Sequence, residues 1–265
     1  MQDLRISLVQ GATRWHDPVG NRAYYAELMA PLVGASDLVI LPETFTSGFS
    51  NDAIEQAEGM DGPTVAWIRD QAVRLDAAVT GSVQLRAGDG VYNRLLWATP
   101  DGQLQHYDKR HLFRYADEDK RYAAGRERLT VEWKGWRINP LVCYDLRFPV
   151  YARNRQDVEC PGALDFDLQI YVANWPAARS YAWKTLLRAR AIENLCYVAA
   201  VNRVGIDGRG LEYSGDSAVI DFMGQPLIET TGEEGVASSV ISAAQLAAHR
   251  AHFPAMLDGD RFSID

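Results

Sequence analysis

Three side chains in this sequence stand where reactive groups would be useful. Glu43 follows the apolar run DLVILP, Lys109 closes HYDK, and Cys143 sits at the end of the apolar run in LVCYDLRFP, where the chain turns polar. A thiol inside a buried strand is a small, inert hydrophobe. A thiol at the rim is a nucleophile only if neighbours activate it, and histidine is the familiar partner. The five histidines are His16, His106, His111, His249 and His252. None ends an apolar run, and only His111, between Arg110 and Leu112-Phe113, qualifies as a site histidine; a packed or surface side chain is its other reading. A carboxylate at a strand rim is partly desolvated, which raises its pKa and makes it a usable base. Glu43 fits that description, and equally that of a loop acid or helix cap. Lys109 alone reads as a surface charge. No G-x-S-x-G elbow is present, and Ser217 in YSGDS reads as a structural hydrogen bonder.

The elements that must position these groups are legible as short apolar runs bounded by polar or turn residues: 5–10, 37–43, 77–83, 138–145, 167–176 and 196–203. They are rich in Val, Ile and Leu without clean alternation, as expected of strands covered on both faces. Helices are predicted over 19–34, 63–76, 148–156 and 179–195. Pro63 stands at a first-turn position, and Ala182, Leu186, Ala189 and Ile192 share one face of the last helix. Segments 93–104 and 217–227 read as hairpins. The order strand–helix–strand–helix–strand–hairpin thus occurs twice, over roughly 4–108 and 136–230, which indicates an internal duplication and an α/β layered fold. In such folds ligands collect at the carboxyl ends of strands. Here those ends read Glu43, Cys143, Asn174 and Asn202.

Composition narrows the function classes. With 265 residues, 47% of them hydrophobic, the chain can bury a substantial core. A net charge of −8, from 35 acids against 27 bases, argues against a nucleic-acid surface. The basic run KRHLFR at 109–114 passes straight into DEDKR and forms no stripe. Cys143, Cys160 and Cys196 are an odd, scattered set, which fits a reducing compartment. The opening MQDLRISLVQ lacks the features of a signal peptide, and no apolar run approaches the ~20 residues that cross a bilayer. A cytoplasmic protein with no membrane partner is expected.

Taken together, LPETFTSGF, YDKRHLFR, LVCYDLRFP, ANWP, RARAIEN and NRVG…YSGDSAVIDFMG resemble, in that order, the motifs of the nitrilase superfamily (carbon–nitrogen hydrolases). The wording CYDLRFP and ANWP is similar to that of its omega-amidase-like branch. The resemblance implies a four-layer α-β-β-α sandwich with an internal two-fold pseudo-repeat, forming a single domain over 1–265. It implies Glu43 as general base, Lys109 as oxyanion-stabilising cation and Cys143 as nucleophile, with the Tyr144 backbone N–H as second oxyanion donor. Glu118 in YADED matches by position a second glutamate that holds the lysine, with Asp117 and Asp119 as competing matches. Near these motifs Phe49, Phe113, Tyr115 and Trp175 are candidate pocket walls or ordinary core, Trp175 being the best placed. Arg147 either pairs with Asp145 or a helix end, the reading slightly favoured, or binds a substrate carboxylate through its forked guanidinium.

The implied reaction is cofactor-free, metal-free hydrolysis of a small non-peptide amide through a thioester. An omega-amide of a short oxo-dicarboxylate, such as 2-oxoglutaramate, is the expected substrate. Family members pair through helices near the cysteine, so a homodimer is expected, with the tail 242–265 either covering a neighbouring subunit or fraying. The rivals are a true nitrilase acting on a C≡N bond, a catalytically idle binding or scaffold member, and a metal-dependent hydrolase. The idle member is disfavoured by the intact set Glu43, Lys109 and Cys143. The metal enzyme is disfavoured because the histidines lack ligand spacing such as H-x-x-x-H.

Overall fold

The fold is taken from a computed structural model that describes residues 1–156, 162–260 and 262–264. Cys160 lies outside the described residues. In chain order the strands are β1 (Leu4–Gln10), β2 (Leu38–Ile40), β3 (Ala78–Ala87), β4 (Gly90–Ala98), β5 (Leu104–Asp108), β6 (Val131–Trp133) and β7 (Trp136–Val142). They continue with β8 (Leu168–Ala173), β9 (Tyr197–Asn202), β10 (Val204–Ile206), β11 (Glu212–Ser214), β12 (Ala218–Ile220), β13 (Pro226–Glu229) and β14 (Gly235–Ile241). The helices are α1 (Pro18–Met29), α2 (Pro63–Leu75), α3 (Ser180–Asn194) and α4 (Ala243–His252).

Two six-stranded mixed sheets result, ordered β14-β1-β2-β3-β4-β5 and β13-β12-β9-β8-β7-β6. In the first, β1, β2 and β3 are parallel and the β3–β4–β5 meander is antiparallel. In the second, β7, β8 and β9 are parallel and β9, β12 and β13 pair antiparallel. The duplicated order expected from the sequence is therefore present, spanning Leu4–Asp108 and Trp136–Glu229. The copies differ in two ways. Hairpin β10–β11 is inserted between β9 and β12, and β7 is followed by a 3-10 turn, Cys143–Arg147, where the first copy has α1.

Strand periodicity explains the layering. Leu4, Ile6 and Leu8 of β1, with Leu38 and Ile40 of β2, share one core with Ile138, Leu168 and Ile170 of the second sheet. The alternate residues Val9, Val39, Leu41 and Val79 pack instead against Tyr25 and Met29 of α1 and Ile68, Ala72 and Leu75 of α2. Both faces of the strands are buried, which is why their sequences are apolar without alternation. On the far side α3 covers the second sheet, completing four layers.

Two expectations are corrected. No helix forms over 148–156 among the described residues: Asn154 is pinned by its side chain, which donates to Phe166 O, and by its backbone N–H, which donates to Asn194 Oδ1. The buried face of α3 is Trp183, Leu187 and Ala191, one residue round from the expected stripe, leaving Ile192 exposed. Trp183 fixes that rotation, since its indole N–H donates to Asp216 O at 2.8 Å.

Asp167, at the foot of β8, ties three elements. It accepts from Arg137 of β7 at 2.8 and 3.0 Å and also from Arg250 of α4, which donates in turn to Phe166 O and Leu195 O. Burial by itself would raise the carboxyl's pKa, but the two guanidinium groups reverse the sign and hold it below its ordinary value. A depressed carboxylate contributes stability above its unfolded pKa, and the contribution is lost as pH falls through the folded one. Asp167→Asn should therefore lower unfolding free energy at pH 7 by about 2 kcal/mol, after discounting for the half-exposed Arg137. In denaturant titrations the difference from wild type should shrink below about pH 3.5; a difference that is constant with pH would contradict the assignment.

Candidate active site

The four strand ends named from the sequence meet in space. Glu43 follows β2, Cys143 follows β7, Asn174 follows β8 and Asn202 closes β9. Leu41 N–H donates to Thr80 O at 2.7 Å and Phe45 N–H to Ser82 O at 3.1 Å, so the segment carrying Glu43 is strapped along β3. Gly81 makes that approach feasible, because a Cβ there would meet the Leu41 Cβ at 2.7 Å. Lys109 follows β5, its N–H donating to Asn93 O at 3.0 Å. Its carbonyl accepts from Gly125 N–H at 2.9 Å, where any larger residue would collide with the Asp108 carbonyl.

Lys109 is the centre of charge. Its ammonium, 1% exposed, donates to Glu43 Oε1 at 2.8 Å and to both oxygens of Glu118 at 3.1 and 3.0 Å. Of the three acids in YADED, Glu118 alone turns inward; it also accepts the Phe113 N–H at 2.6 Å. Asp117 and Asp119 face Lys120 and Arg114 instead. Burial pulls the Lys109 pKa down, but Glu118 and Glu43 more than offset it, so the ammonium is held charged. Burial raises the Glu118 pKa, with Lys109 opposing and Glu43 assisting the rise. Asn93, on the neighbouring strand β4, donates to Glu43 Oε1 at 2.8 Å and lies 3.3 Å from Glu118. The remaining oxygen, Glu43 Oε2, accepts the Asn174 N–H at 2.8 Å. Both Glu43 oxygens thus act as acceptors, the pattern of a carboxylate.

Cys143 opens the 3-10 turn with φ of 44°, in the left-handed region where a non-glycine residue is strained by about 1–2 kcal/mol. Buried Asp145 holds that turn, accepting Val142 N–H at 3.0 Å, Tyr107 OH at 2.9 Å and His111 N–H at 3.0 Å. The His111 ring also meets Asp145, at 2.7 Å, and stacks on Phe148. His111 therefore supports the turn and does not line the cavity of Cys143. The thiol lies 3.9 Å from Asn174 O. Burial pushes its pKa well above the ordinary thiol value; the Glu43 charge adds to this and Lys109 only partly opposes it.

A cavity of about 360 Å³ opens over these groups. Glu43, Lys109, Cys143 and Asn174 line it, and so do Tyr144, Phe49, Phe113, Tyr115 and Trp175. All four aromatic candidates are walls. Trp175 is fixed on both backbone sides by Asn202, which accepts its N–H at 2.8 Å and donates to its carbonyl at 2.9 Å. Arg147 does not pair with Asp145: it lines the cavity with its guanidinium 4.8 Å from the Trp175 ring centre. Of the structural partners expected for Arg147, Asp145 is thereby corrected, because it is already engaged by Tyr107 and His111.

Sequence reasoning missed Asn93, Arg179 and the β10–β11 turn, whose Asp207, Arg209 and Leu211 line the cavity beside Tyr213. GIDGRG was the available mark of that turn. Nothing local marks Asn93, which matters only through strand pairing.

The carbon–nitrogen hydrolase family model matches residues 5–251. The chain belongs to the carbon–nitrogen hydrolase family. Omega-amidase YafV of Yersinia enterocolitica is 46% identical over 267 residues, covering all of both chains. The 2-oxoglutaramate amidase of Bacillus subtilis strain 168 is 35% identical over 226 residues, 84% of this chain and 85% of the relative. A crystal structure of a CN-hydrolase superfamily protein from Xanthomonas campestris, with an arsenic adduct in its active site, is 75% identical and superposes with a TM-score of 0.99 over the whole of both chains. The sandwich expected from the sequence is the fold of this carbon–nitrogen hydrolase.

A raised thiol pKa has a spectroscopic consequence. The 240 nm absorbance difference between wild type and Cys143→Ala should show no thiolate step as pH rises from 6 to about 9, the range in which an ordinary thiol begins to ionise. A step near neutral pH would mean a preformed thiolate.

Proposed function

We propose that the protein is an omega-amidase, hydrolysing the terminal amide of 2-oxoglutaramate or a similar short oxo-dicarboxylate to the acid and ammonia. The observation that carries this reading is the buried Glu43–Lys109–Glu118 cluster beside the Cys143 thiol, all opening onto one cavity. The relatives named omega-amidase and 2-oxoglutaramate amidase support the substrate class.

Glu43 takes the thiol proton as Sγ attacks the amide carbon. The negative charge that develops on the carbonyl oxygen is met by the Lys109 ammonium and the Tyr144 N–H. Glu43 then returns the proton to the amide nitrogen, the C–N bond breaks, ammonia leaves and a thioester remains. Water enters, Glu43 removes one proton from it, and its oxygen attacks the thioester carbon. The second tetrahedral intermediate collapses to the carboxylic acid, and the expelled thiolate recovers its proton from Glu43. Glu118 keeps Lys109 charged and aimed, so the lysine stabilises charge without surrendering its proton. Arg147, without an acidic partner among the described residues, receives the substrate carboxylate, and Phe49, Phe113, Tyr115 and Trp175 exclude water from the reacting bond.

The chain is read as one functional unit over 1–265, cytoplasmic and without a metal or cofactor in the reaction. Among the described residues no helix is long and apolar enough to cross a membrane. Pairing as a homodimer is supported by Val150 and Tyr181, 60% and 85% exposed close to the Cys143 turn and at the start of α3. A monomer mass by light scattering would remove that part of the proposal.

Ammonia release from 2-oxoglutaramate, with a short aliphatic nitrile and its amide in parallel, tests the reaction. Wild type should turn over the oxo-amide in preference to the nitrile. Cys143→Ala, Glu43→Gln and Lys109→Met should each lose at least about 10³-fold in kcat, as expected when groups acting as a unit are broken. Wild-type rates in Cys143→Ala, or a nitrile preference, would refute the reading.

A further inference from the structure

The cavity holds more positive charge than its own acids neutralise. Its lining carries Lys109, Arg147, Arg179 and Arg209 against Glu43 and Asp207. Lys109 is matched by Glu43 and Glu118, and Arg209 leans 3.6 Å from Asp52. Asp207 is occupied by its own turn, accepting from Arg209 N–H, Leu211 N–H and Tyr213 OH. Two guanidinium groups are left without a carboxylate among the described residues, in a chain with an excess of acids: Arg147, over Trp175, and Arg179. Arg179 is half-buried, its guanidinium 5.4 Å from the Phe113 ring centre and 6.0 Å from that of Tyr115. Its backbone carbonyl accepts the Trp175 indole N–H at 2.9 Å, so the ring supporting Arg147 also anchors the turn that presents Arg179.

One arginine suffices for one carboxylate, since a bidentate pair uses both carboxylate oxygens. A second unpaired arginine in the same cavity has use for a further acceptor on the substrate. We infer that Arg179 is a specificity-determining residue that donates to the 2-oxo oxygen beside the carboxylate and selects 2-oxo acid amides against 2-amino acid amides. The inference rests on the amidase reading above and adds to it the group that reads the 2-position. A 2-oxo oxygen accepts a guanidinium hydrogen bond, whereas a 2-ammonium has no acceptor and brings a third cation between two unneutralised ones. Such a site rejects the wrong group through charge as well as through a lost hydrogen bond. Phe113 and Tyr115 hold the side chain in place by their ring faces.

The test compares ammonia release from 2-oxoglutaramate, glutaramate (the same chain without the 2-oxo group) and glutamine, in wild type, Arg179→Met, Arg179→Lys and Arg147→Met. Methionine keeps an unbranched chain against the two rings. In Arg179→Met the ratio of kcat/KM for 2-oxoglutaramate to that for glutamine should fall about 30-fold, mainly through KM, the scale of one charged hydrogen bond. The ratio to glutaramate should fall as well, and Arg179→Lys should retain part of both. Arg147→Met should instead depress all three substrates together. Equal losses on all three in Arg179→Met would overturn the assignment while leaving the amidase reading standing. Failure of the wild type on 2-oxoglutaramate would overturn both.

Discussion

A single buried ammonium is the constraint around which the rest of this protein is arranged. Removing Lys109 from water is tolerable only with opposite charge and hydrogen bonds close by, since an unpaired buried charge costs several kcal/mol even after relaxation. Glu43 and Glu118 supply three contacts at 2.8–3.1 Å. Burial pushes the neighbouring Cys143 thiol well above its ordinary pKa, and the Glu43 charge adds to the rise while Lys109 only partly opposes it. In the mechanism proposed above, a thiol that is neutral at rest takes its base from the same cluster, as Glu43. On that proposal the acid–base pair comes from the electrostatics of burying a lysine, without a histidine.

That cluster also joins the two halves of the sandwich. Asn93 lies in the first sheet, and Glu43 and Lys109 follow its strands β2 and β5, whereas Cys143 and Asn174 follow β7 and β8 of the second. The joint is Asn174, whose N–H reaches Glu43 Oε2 and whose side chain donates to Glu43 O and to Thr44 Oγ1 at 2.6 and 2.9 Å. Thr44 and Cys143, on the two sides of the joint, both have positive φ, 43° and 44°. The cost of these conformations is met by the sheets packed beneath them, which over-determine where each strand ends. Asp145 and His111 do the same for the cysteine turn from behind.

Much of this was readable in the sequence because strand ends and apolar runs are local features. The six runs mark six strands, Pro63 marks the start of α2, and Glu43 and Cys143 stand where two of the runs stop, whereas Lys109 and Glu118 stood out only through the resemblance to the family's motifs. What was hidden depends on long-range pairing. Asn93 enters the site only because β4 lies between β3 and β5, and nothing in NRLLWATP says so. The face of α3 was misplaced by one residue because its small apolar residues give two overlapping stripes, and only the Trp183–Asp216 contact chooses between them. Asp145 or a helix end is an available partner for Arg147 in the sequence, but Asp145 is filled from the β5 side by Tyr107 and His111. Segment 148–156 has helical composition, yet its polar groups are committed to Asn194 and Phe166 across the sheet.

The central claim is that Cys143 becomes a nucleophile through Glu43, held in place by Lys109. Intact-mass analysis of acid-quenched reactions with 2-oxoglutaramate, on wild type and Glu43→Gln side by side, tests it most directly. The account predicts an adduct equal to substrate minus ammonia on the Cys143 peptide of wild type, and none in Glu43→Gln on the same timescale. Adduct formation at the wild-type rate in Glu43→Gln would show that the thiol needs no carboxylate and would contradict the account.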